Sequence, residues 1–159
     1  MIKIGDRLSQ LLSKDDSCLV LLHNTGTIER ARKIMTHGFK FESQLTYSTD
    51  RVNPKDQVEI NYFLVERKEY GDFTIVIEID KNLFKKYSQL AESSDLNIED
   101  ILTYEEPYLS DNDEYVYVLS HYYIKCIFNN KTGEVKMNPV FDPAFNNPDY
   151  LNNYNRLTK

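Results

Sequence analysis

Apolar residues recur at two spacings along the chain, and each spacing predicts a different kind of element. Apolar positions three or four residues apart predict helices over residues 6–14 and 28–37. Between them, residues 18–22 form a short continuous apolar run, as in a buried strand. Gly38 follows the second helix and suits its C-terminal cap. The first third of the chain therefore predicts helix, strand, turn and helix.

The remaining apolar pattern extends this mixture of elements to the end of the chain. Helical spacing and start signals predict helices over 53–70, opened by Asn53 and Pro54, and over 82–90, with a loop and a short helix over 94–102. Strand signals fall at residues 45–48, 73–79, 114–119, 122–128 and 135–137. Helices come early and strands come late, which predicts an α+β fold. The length of 159 residues predicts one domain over 1–159, and the Asn-rich residues 145–159 predict a loosely ordered tail.

Composition narrows the class of protein without naming a function. Acidic residues number 25 and basic residues 19, for a net charge of −6, which opposes non-specific binding to a phosphate backbone. No apolar run approaches the length of a membrane helix, and the N-terminus has no signal-peptide pattern, so we expect no membrane association. Cys18 and Cys126 have no metal-ligand spacing, which predicts reduced thiols, no metal and a cytoplasmic location, with a disulfide between the two as the alternative.

The first candidate functional residue is His23, which ends the buried strand and precedes a turn and a helix. An imidazole at an open strand end can hold a ribose hydroxyl, and the backbone of the next residues can hold an amide. The alternative is a histidine that caps the strand by bonding a neighbouring backbone carbonyl. The sequence leaves both interpretations open.

The second candidate is Tyr47, at the end of the predicted strand 45–48, with Tyr62 in the following helix. Two aromatic rings at the ends of neighbouring elements can sandwich a flat heteroaromatic group such as nicotinamide. The chain holds 12 tyrosines, so ordinary core packing is the competing interpretation.

The third candidate is Glu114, where a polar segment gives way to the alternating strand YVYV. A carboxylate at a strand entrance can accept a ribose 2′-hydroxyl and stabilise positive charge at an anomeric carbon. A solvated acidic turn, formed with Asp111 and Asp113, is the alternative.

These three features occur in an order and context that resemble a known superfamily. The segment LLHNTGTIERARKIMTHGF looks like the first motif of the ADP-ribosyltransferases of the His-Tyr-Glu type, the clade of diphtheria toxin and the poly(ADP-ribose) polymerases. LTYSTD resembles the second motif, and NDEYVYVLSHYYIKCIF is similar to the third. The resemblance covers residues 19–138. It implies a split β-sandwich of two small, mostly antiparallel sheets with flanking helices.

The resemblance also implies NAD as the substrate and a role for each matched residue. His23 would bond one of the two riboses of NAD, with the backbone at Asn24 and Thr25 holding the nicotinamide amide. Tyr47 and Ser48 would line the nicotinamide pocket, and Glu114 would bond the 2′-hydroxyl and support the oxocarbenium-like transition state. Asn24 departs from the polymerase-like pattern, which has Gly directly after the histidine.

Two residues are assigned to NAD without support from a motif. Tyr62 is a plausible second stacking ring. Arg51 is preferred for the pyrophosphate over Arg30, Arg32 and Lys33, which an exposed helix face would also explain.

The predicted function is transfer of a single ADP-ribose to a protein or nucleic-acid acceptor. Asn112 and Asp113 precede Glu114, so the Glu-x-Glu pattern that resembles arginine-modifying toxins is absent. The small format resembles that of toxin, effector or phage-conflict enzymes, which implies an antitoxin or immunity protein as a partner. An NAD glycohydrolase and an inactive nucleotide- or protein-binding member of the fold are the alternatives.

Overall fold

The computed structural model describes residues 3–103 and 107–146. The helices of this part of the chain are α1 (Ile4–Leu11), α2 (Ile28–His37), α3 (Leu45–Ser48), α4 (Gln57–Glu66), α5 (Lys81–Ser93) and α6 (Ile98–Leu102), with two 3-10 helices at Lys68–Tyr70 and His121–Tyr123. The strands are β1 (Cys18–Thr25), β2 (Phe39–Glu42), β3 (Asp50–Arg51), β4 (Phe73–Asp80), β5 (Tyr108–Leu109), β6 (Tyr115–Leu119), β7 (Ile124–Asn129) and β8 (Val135–Met137).

The strands form two sheets in which every described pairing is antiparallel. The larger sheet has the order β3-β1-β4-β7-β8, and the smaller has the order β2-β6-β5. The prediction of an α+β fold with two small antiparallel sheets and flanking helices is therefore confirmed.

The larger sheet lies between two apolar layers because its strands are hydrophobic on both faces. One face packs against α1 and α4, through Leu8, Ile60 and Phe63. The opposite face packs against α2, α5, α6 and the inner face of the smaller sheet, where Phe41 and Tyr117 lie. The two sheets consequently share one core, and β4 is the central strand of the larger sheet.

The prediction of a strand over residues 45–48 is wrong, because these residues form α3. Burial there follows a helical period: Leu45 is buried, Thr46 and Tyr47 are exposed, and Thr49 is buried again. The Thr49 hydroxyl donates to the Leu45 carbonyl over 2.9 Å, four residues back. The four residues LTYS are too few for apolar spacing to distinguish one helical turn from a short strand.

The helix predicted over 53–70 is shorter at both ends. Asp56, and not Asn53, is the N-cap, since its carboxylate accepts the Glu59 amide over 3.1 Å. The Asn53 side chain instead accepts the Lys55 amide in the preceding turn. At the other end the chain tightens into the 3-10 helix Lys68–Tyr70 before Gly71.

Three further differences concern the strand after residue 121, the order of helices and strands, and the tail. The strand predicted over 122–128 begins at Ile124, because the preceding residues form the 3-10 helix. Strands also begin early, since β1 to β4 precede residue 81, so the predicted separation of helices from strands is wrong. Of the predicted loose tail, Phe145 is packed, with its ring centroid 4.1 Å from that of Tyr122. Residues 147–159 lie outside the described part.

Candidate functional site

A cleft of about 550 Å³ lies where α2 and β2 meet the end of β1. His23 and Thr25 come from β1, Arg30 and Lys33 from α2, and Lys40 from β2. Among the described residues that line it there is no carboxylate. We call this the cationic cleft, and its lining residues are His23, Thr25, Arg30, Lys33, Ile34, His37, Gly38, Phe39, Lys40 and Ser48.

A second cavity, of about 270 Å³, adjoins the cationic cleft. His23 and Ser48 line both cavities and therefore form the boundary between them. The second cavity carries two exposed rings, those of Tyr47 and Tyr70. We call it the aromatic pocket, and its lining residues are Leu22, His23, Asn24, Thr46, Tyr47, Ser48, Thr49, Asp50, Arg67 and Tyr70.

His23 is held at this boundary by a bond to α3. Its Nδ1 lies 2.7 Å from the carbonyl oxygen of Ser48. A carbonyl oxygen only accepts, so Nδ1 carries the hydrogen and Nε2 is the acceptor of the neutral ring. Nε2 has no hydrogen-bond partner among the described residues. The histidine thus caps a neighbouring carbonyl and still offers an acceptor to a ligand.

The protonation of His23 follows from its surroundings. Burial lowers the pKa of His23, an effect opposed by the bond to the Ser48 carbonyl and by the charge of Asp50. The ring of Phe39 lies against the imidazole, with centroids 4.7 Å apart. Because the ordinary pKa of about 6.5 is lowered, the ring is neutral at pH 7.

The short helix α3 positions Ser48 because its first residue is anchored in the core. Leu45 is buried, and its amide donates to the carboxylate of Glu99 in α6 over 3.4 Å. The Thr49 hydroxyl closes the other end of the turn on the Leu45 carbonyl. The fold of residues 45–49 therefore aims the Ser48 carbonyl at β1.

Asn24, the departure from the polymerase-like pattern, has a structural task in this chain. Its Nδ2 donates to the Arg67 carbonyl over 2.8 Å, and its Oδ1 accepts from the Thr74 hydroxyl over 2.7 Å. The side chain is buried and joins β1 to β4 and to the end of α4. Thr25, by alternation along β1, lies on the face of the cationic cleft with His23.

Arg51 and Tyr62 lie away from the cationic cleft. Both line a separate cavity of about 300 Å³ between β3 and α4. Asp50 and Arg67 line this cavity and the aromatic pocket alike, and their side chains pair at 2.7 and 3.0 Å. This ion pair separates Tyr62 from Tyr47, so the two rings do not face a common cavity.

Glu114 directly precedes β6, exposed to solvent, and its Oε2 accepts a hydrogen bond from the Ser43 hydroxyl. Ser43 follows β2 and stands four residues beyond Phe39, which is about 13 Å along an extended strand. Since Phe39 is the ring beside His23, the structure brings Glu114 and His23 to different ends of β2.

A groove of about 550 Å³ runs from the cationic cleft toward Glu114. It shares Lys40 and Ser48 with that cleft and extends to Asp111 and Val116, on either side of Glu114 in the sequence. Glu114 itself lines none of the cavities described here. The structure therefore places His23, Tyr47 and Ser48 together and Glu114 at the rim of an adjoining groove.

The sequence favoured Arg51 for the pyrophosphate, whereas the structure places Arg30, Lys33 and Lys40 in the lining of the cleft. The sequence signal for them is spacing: Arg30 is three residues from Lys33 and four residues from Ile34, which places Arg30 beside both on the surface of α2. Ile34 is half-buried against the core, so Arg30 and Lys33 lie where the exposed side of α2 meets the core. Lys40 alternates with the buried rings of Phe39 and Phe41, which places it on the opposite face of β2.

Comparison of the chain with family models, with curated proteins and with solved structures finds no match. Within residues 3–103 and 107–146, no helix is long and apolar enough to span a membrane. The same residues contain no group of three or more His, Cys, Asp or Glu side chains arranged to hold a metal ion.

Proposed function

We propose that the protein is an NAD-dependent ADP-ribosyltransferase of the His-Tyr-Glu type that transfers a single ADP-ribose to a macromolecular acceptor. The observation that carries this proposal is the placement of His23. A neutral imidazole with an unused Nε2 acceptor stands at the junction of a cationic cleft and an aromatic pocket. The two antiparallel sheets and the three sequence motifs support the same class.

The two cavities suit the two chemically different parts of NAD. The aromatic pocket offers Tyr47 to the flat nicotinamide ring, which favours stacked or edge contacts with another ring. His23 Nε2 accepts a hydrogen bond from a ribose hydroxyl. The pyrophosphate then faces Arg30 and the other cations of the cleft, which neutralise its charge and donate hydrogen bonds to its oxygens.

In the proposed reaction, the bond between nicotinamide and the anomeric carbon breaks, and the bonding pair leaves with nicotinamide. A nucleophile of the acceptor then forms a bond to the anomeric carbon and releases its proton. Positive charge develops on the ribose as the bond breaks, and a carboxylate beside it lowers the barrier. Glu114 is the proposed carboxylate, and this role requires it to exchange its contact with Ser43 for one with the bound ribose.

The first test measures nicotinamide release from NAD by the wild type and by Glu114→Gln, with a cell lysate as the source of acceptors. Glu114→Gln is expected to reduce release by about 10²-fold or more, the loss typical of a major electrostatic stabiliser. Glu134→Gln is the matched control, because Glu134 is also exposed and lies in the β7–β8 hairpin of the larger sheet, whereas Glu114 precedes a strand of the smaller sheet. Equal release by wild type and Glu114→Gln would exclude the proposed role of Glu114.

The same assay separates transfer from hydrolysis. Radiolabel from the adenosine part of NAD is expected on a macromolecule of the lysate in an amount that matches the nicotinamide released. Release of nicotinamide with free ADP-ribose as the product would identify an NAD glycohydrolase instead.

A second candidate function is binding of a dinucleotide without chemistry, and one observation favours it. The Glu114 carboxylate is bonded to Ser43 at the rim of the groove and does not line the cleft that holds His23. An inactive member of the fold is expected to bind NAD equally well before and after Glu114→Gln and to release no nicotinamide in either form. Calorimetric titration with NAD distinguishes this outcome from the absence of any site.

A further inference from the structure

The cationic cleft is unusual in a protein with this charge balance. Acidic residues exceed basic ones by six, yet the charged side chains that line the cleft are Arg30, Lys33 and Lys40. None of the three forms an ion pair with another described residue. Unpaired cations of one sign around a concave surface concentrate the local field and favour an anionic ligand.

The cleft also holds three cations, which is more than the two negative charges of a pyrophosphate need. Arg30 lies in the first turn of α2, close to His23 and Thr25, and Lys33 lies one turn further on. Lys40 lies beyond the other end of α2, which is about 10 Å from Arg30 at 1.5 Å per residue. Lys40 directly follows Phe39, whose ring lies against His23, so cations line the cleft near both ends of α2 and outnumber the two charges of a pyrophosphate.

We propose that the cleft selects a dinucleotide with a third phosphate group, as in NADP, over NAD itself. This inference rests on the proposed function, since it takes the pyrophosphate to lie near Arg30. Lys33 and Lys40 then hold the additional phosphomonoester on the ribose of the adenosine part. The phosphomonoester carries up to two further negative charges, which Lys33 and Lys40 neutralise.

The absence of an acidic side chain from the described lining supports this choice. A carboxylate in a dinucleotide site accepts the ribose 2′-hydroxyl and repels a 2′-phosphate, whereas a basic side chain accommodates the phosphate. The nearest acidic group along β2, Glu42, lines the adjoining groove and not the cationic cleft.

The test compares calorimetric titrations of the protein with NAD and with NADP in a buffer of fixed ionic strength. Wild type is expected to bind NADP about tenfold more tightly than NAD. Lys33 and Lys40 are exposed, so each contributes only about threefold to this ratio. Lys33→Gln and Lys40→Gln are each expected to reduce this ratio by about threefold.

Arg32→Gln is the matched control. Arg32 lies on α2 next to Lys33, loses the same charge on substitution, is exposed, and does not line the cleft. It is expected to leave the ratio unchanged. Thermal unfolding of all three variants checks that each is folded.

Each outcome of the titrations supports or overturns the preference for a third phosphate. Binding of NAD as tightly as NADP overturns the preference for a third phosphate and leaves the proposed function standing. A ratio that falls equally in Arg32→Gln and Lys33→Gln overturns the assignment to the cleft, because it reflects net charge alone. Failure of both dinucleotides to bind overturns the proposed function together with this inference.

Discussion

At the scale of single residues, His23 combines a structural bond with an available acceptor. Its Nδ1–H donates to the Ser48 carbonyl, and the ring packs against Phe39. The burial that accompanies this packing lowers the pKa of the ring. A neutral ring can accept a hydrogen bond from a hydroxyl, whereas an imidazolium can only donate.

This residue gives a prediction about pH. The pKa of His23 is expected below the ordinary value of about 6.5, because burial disfavours the charged ring in the folded state. Below about pH 6.5 the unfolded chain binds a proton more readily than the folded one, so His23 reduces the free energy of unfolding as the pH falls toward the folded pKa. The measurement is an NMR titration of the histidine ring protons.

Assignment of the His23 signal follows from its disappearance in His23→Gln, a variant that keeps a donor for the Ser48 carbonyl. Burial lowers the pKa of His121 as well, so the remaining histidine signals must be followed separately. A titration midpoint for His23 above 6.5 would contradict the prediction.

At the scale of elements, α4 is apolar on two opposite sides. Ile60 and Phe63 are buried against the larger sheet, while Val58, Tyr62 and Val65 are 77%, 64% and 74% exposed. One helix thus contains apolar residues that stabilise the fold and apolar residues that do not. The spacing of Ile60, Phe63 and Leu64 predicts both this helix and its inward face, and all three residues pack in the same apolar layer.

The two sides of α4 give matched substitutions. Ile60→Ala is expected to lower the free energy of unfolding by about 2–5 kcal/mol, because it removes buried side-chain atoms and leaves a cavity. Val58→Ala and Val65→Ala are each expected to change it by less than about 0.5 kcal/mol, since both side chains are mostly exposed. Urea denaturation measures all three, and a cost for Val58→Ala equal to that of Ile60→Ala would contradict the assignment of faces.

At the scale of the whole molecule, the larger sheet joins both apolar layers. Residues on alternate positions of β4 face opposite ways: Ile75 and Ile77 contact one layer, and Val76 contacts the other. Glu78, also on β4, is buried with its Oε2 at 3.1 Å from Lys125 Nζ and bonded to the Ser13 amide. Neither layer can lose its packing without disturbing the strand they share.

Unfolding is therefore expected to be a single cooperative transition. The chain has no Trp and 12 Tyr, so tyrosine fluorescence and near-ultraviolet dichroism report on side-chain packing, and far-ultraviolet dichroism reports on the backbone. The urea midpoints from these probes are expected to coincide. Separate midpoints would show that the layers unfold independently.

Local patterns were sufficient for the elements whose burial follows directly from the sequence. The apolar run of β1, the alternation of β4 and the capped helix α2 are all evident from spacing, because a buried strand or an amphipathic helix must repeat its apolar residues with its own period. His23 was likewise evident, since it directly follows the apolar run of β1.

The tertiary structure decided which side chains meet. Residues 45–48 form a helix because Leu45 is anchored in the core by packing and by Glu99, a residue 54 positions away. Arg51 was preferred for the phosphates, yet the pairing of β3 with β1 places it in another cavity. Lys40 joins the cationic cleft because the antiparallel pairing of β2 with β6 fixes which face it occupies. Spacing along the chain determines the period of each element, whereas the cavity that a side chain lines depends on contacts between residues far apart in sequence.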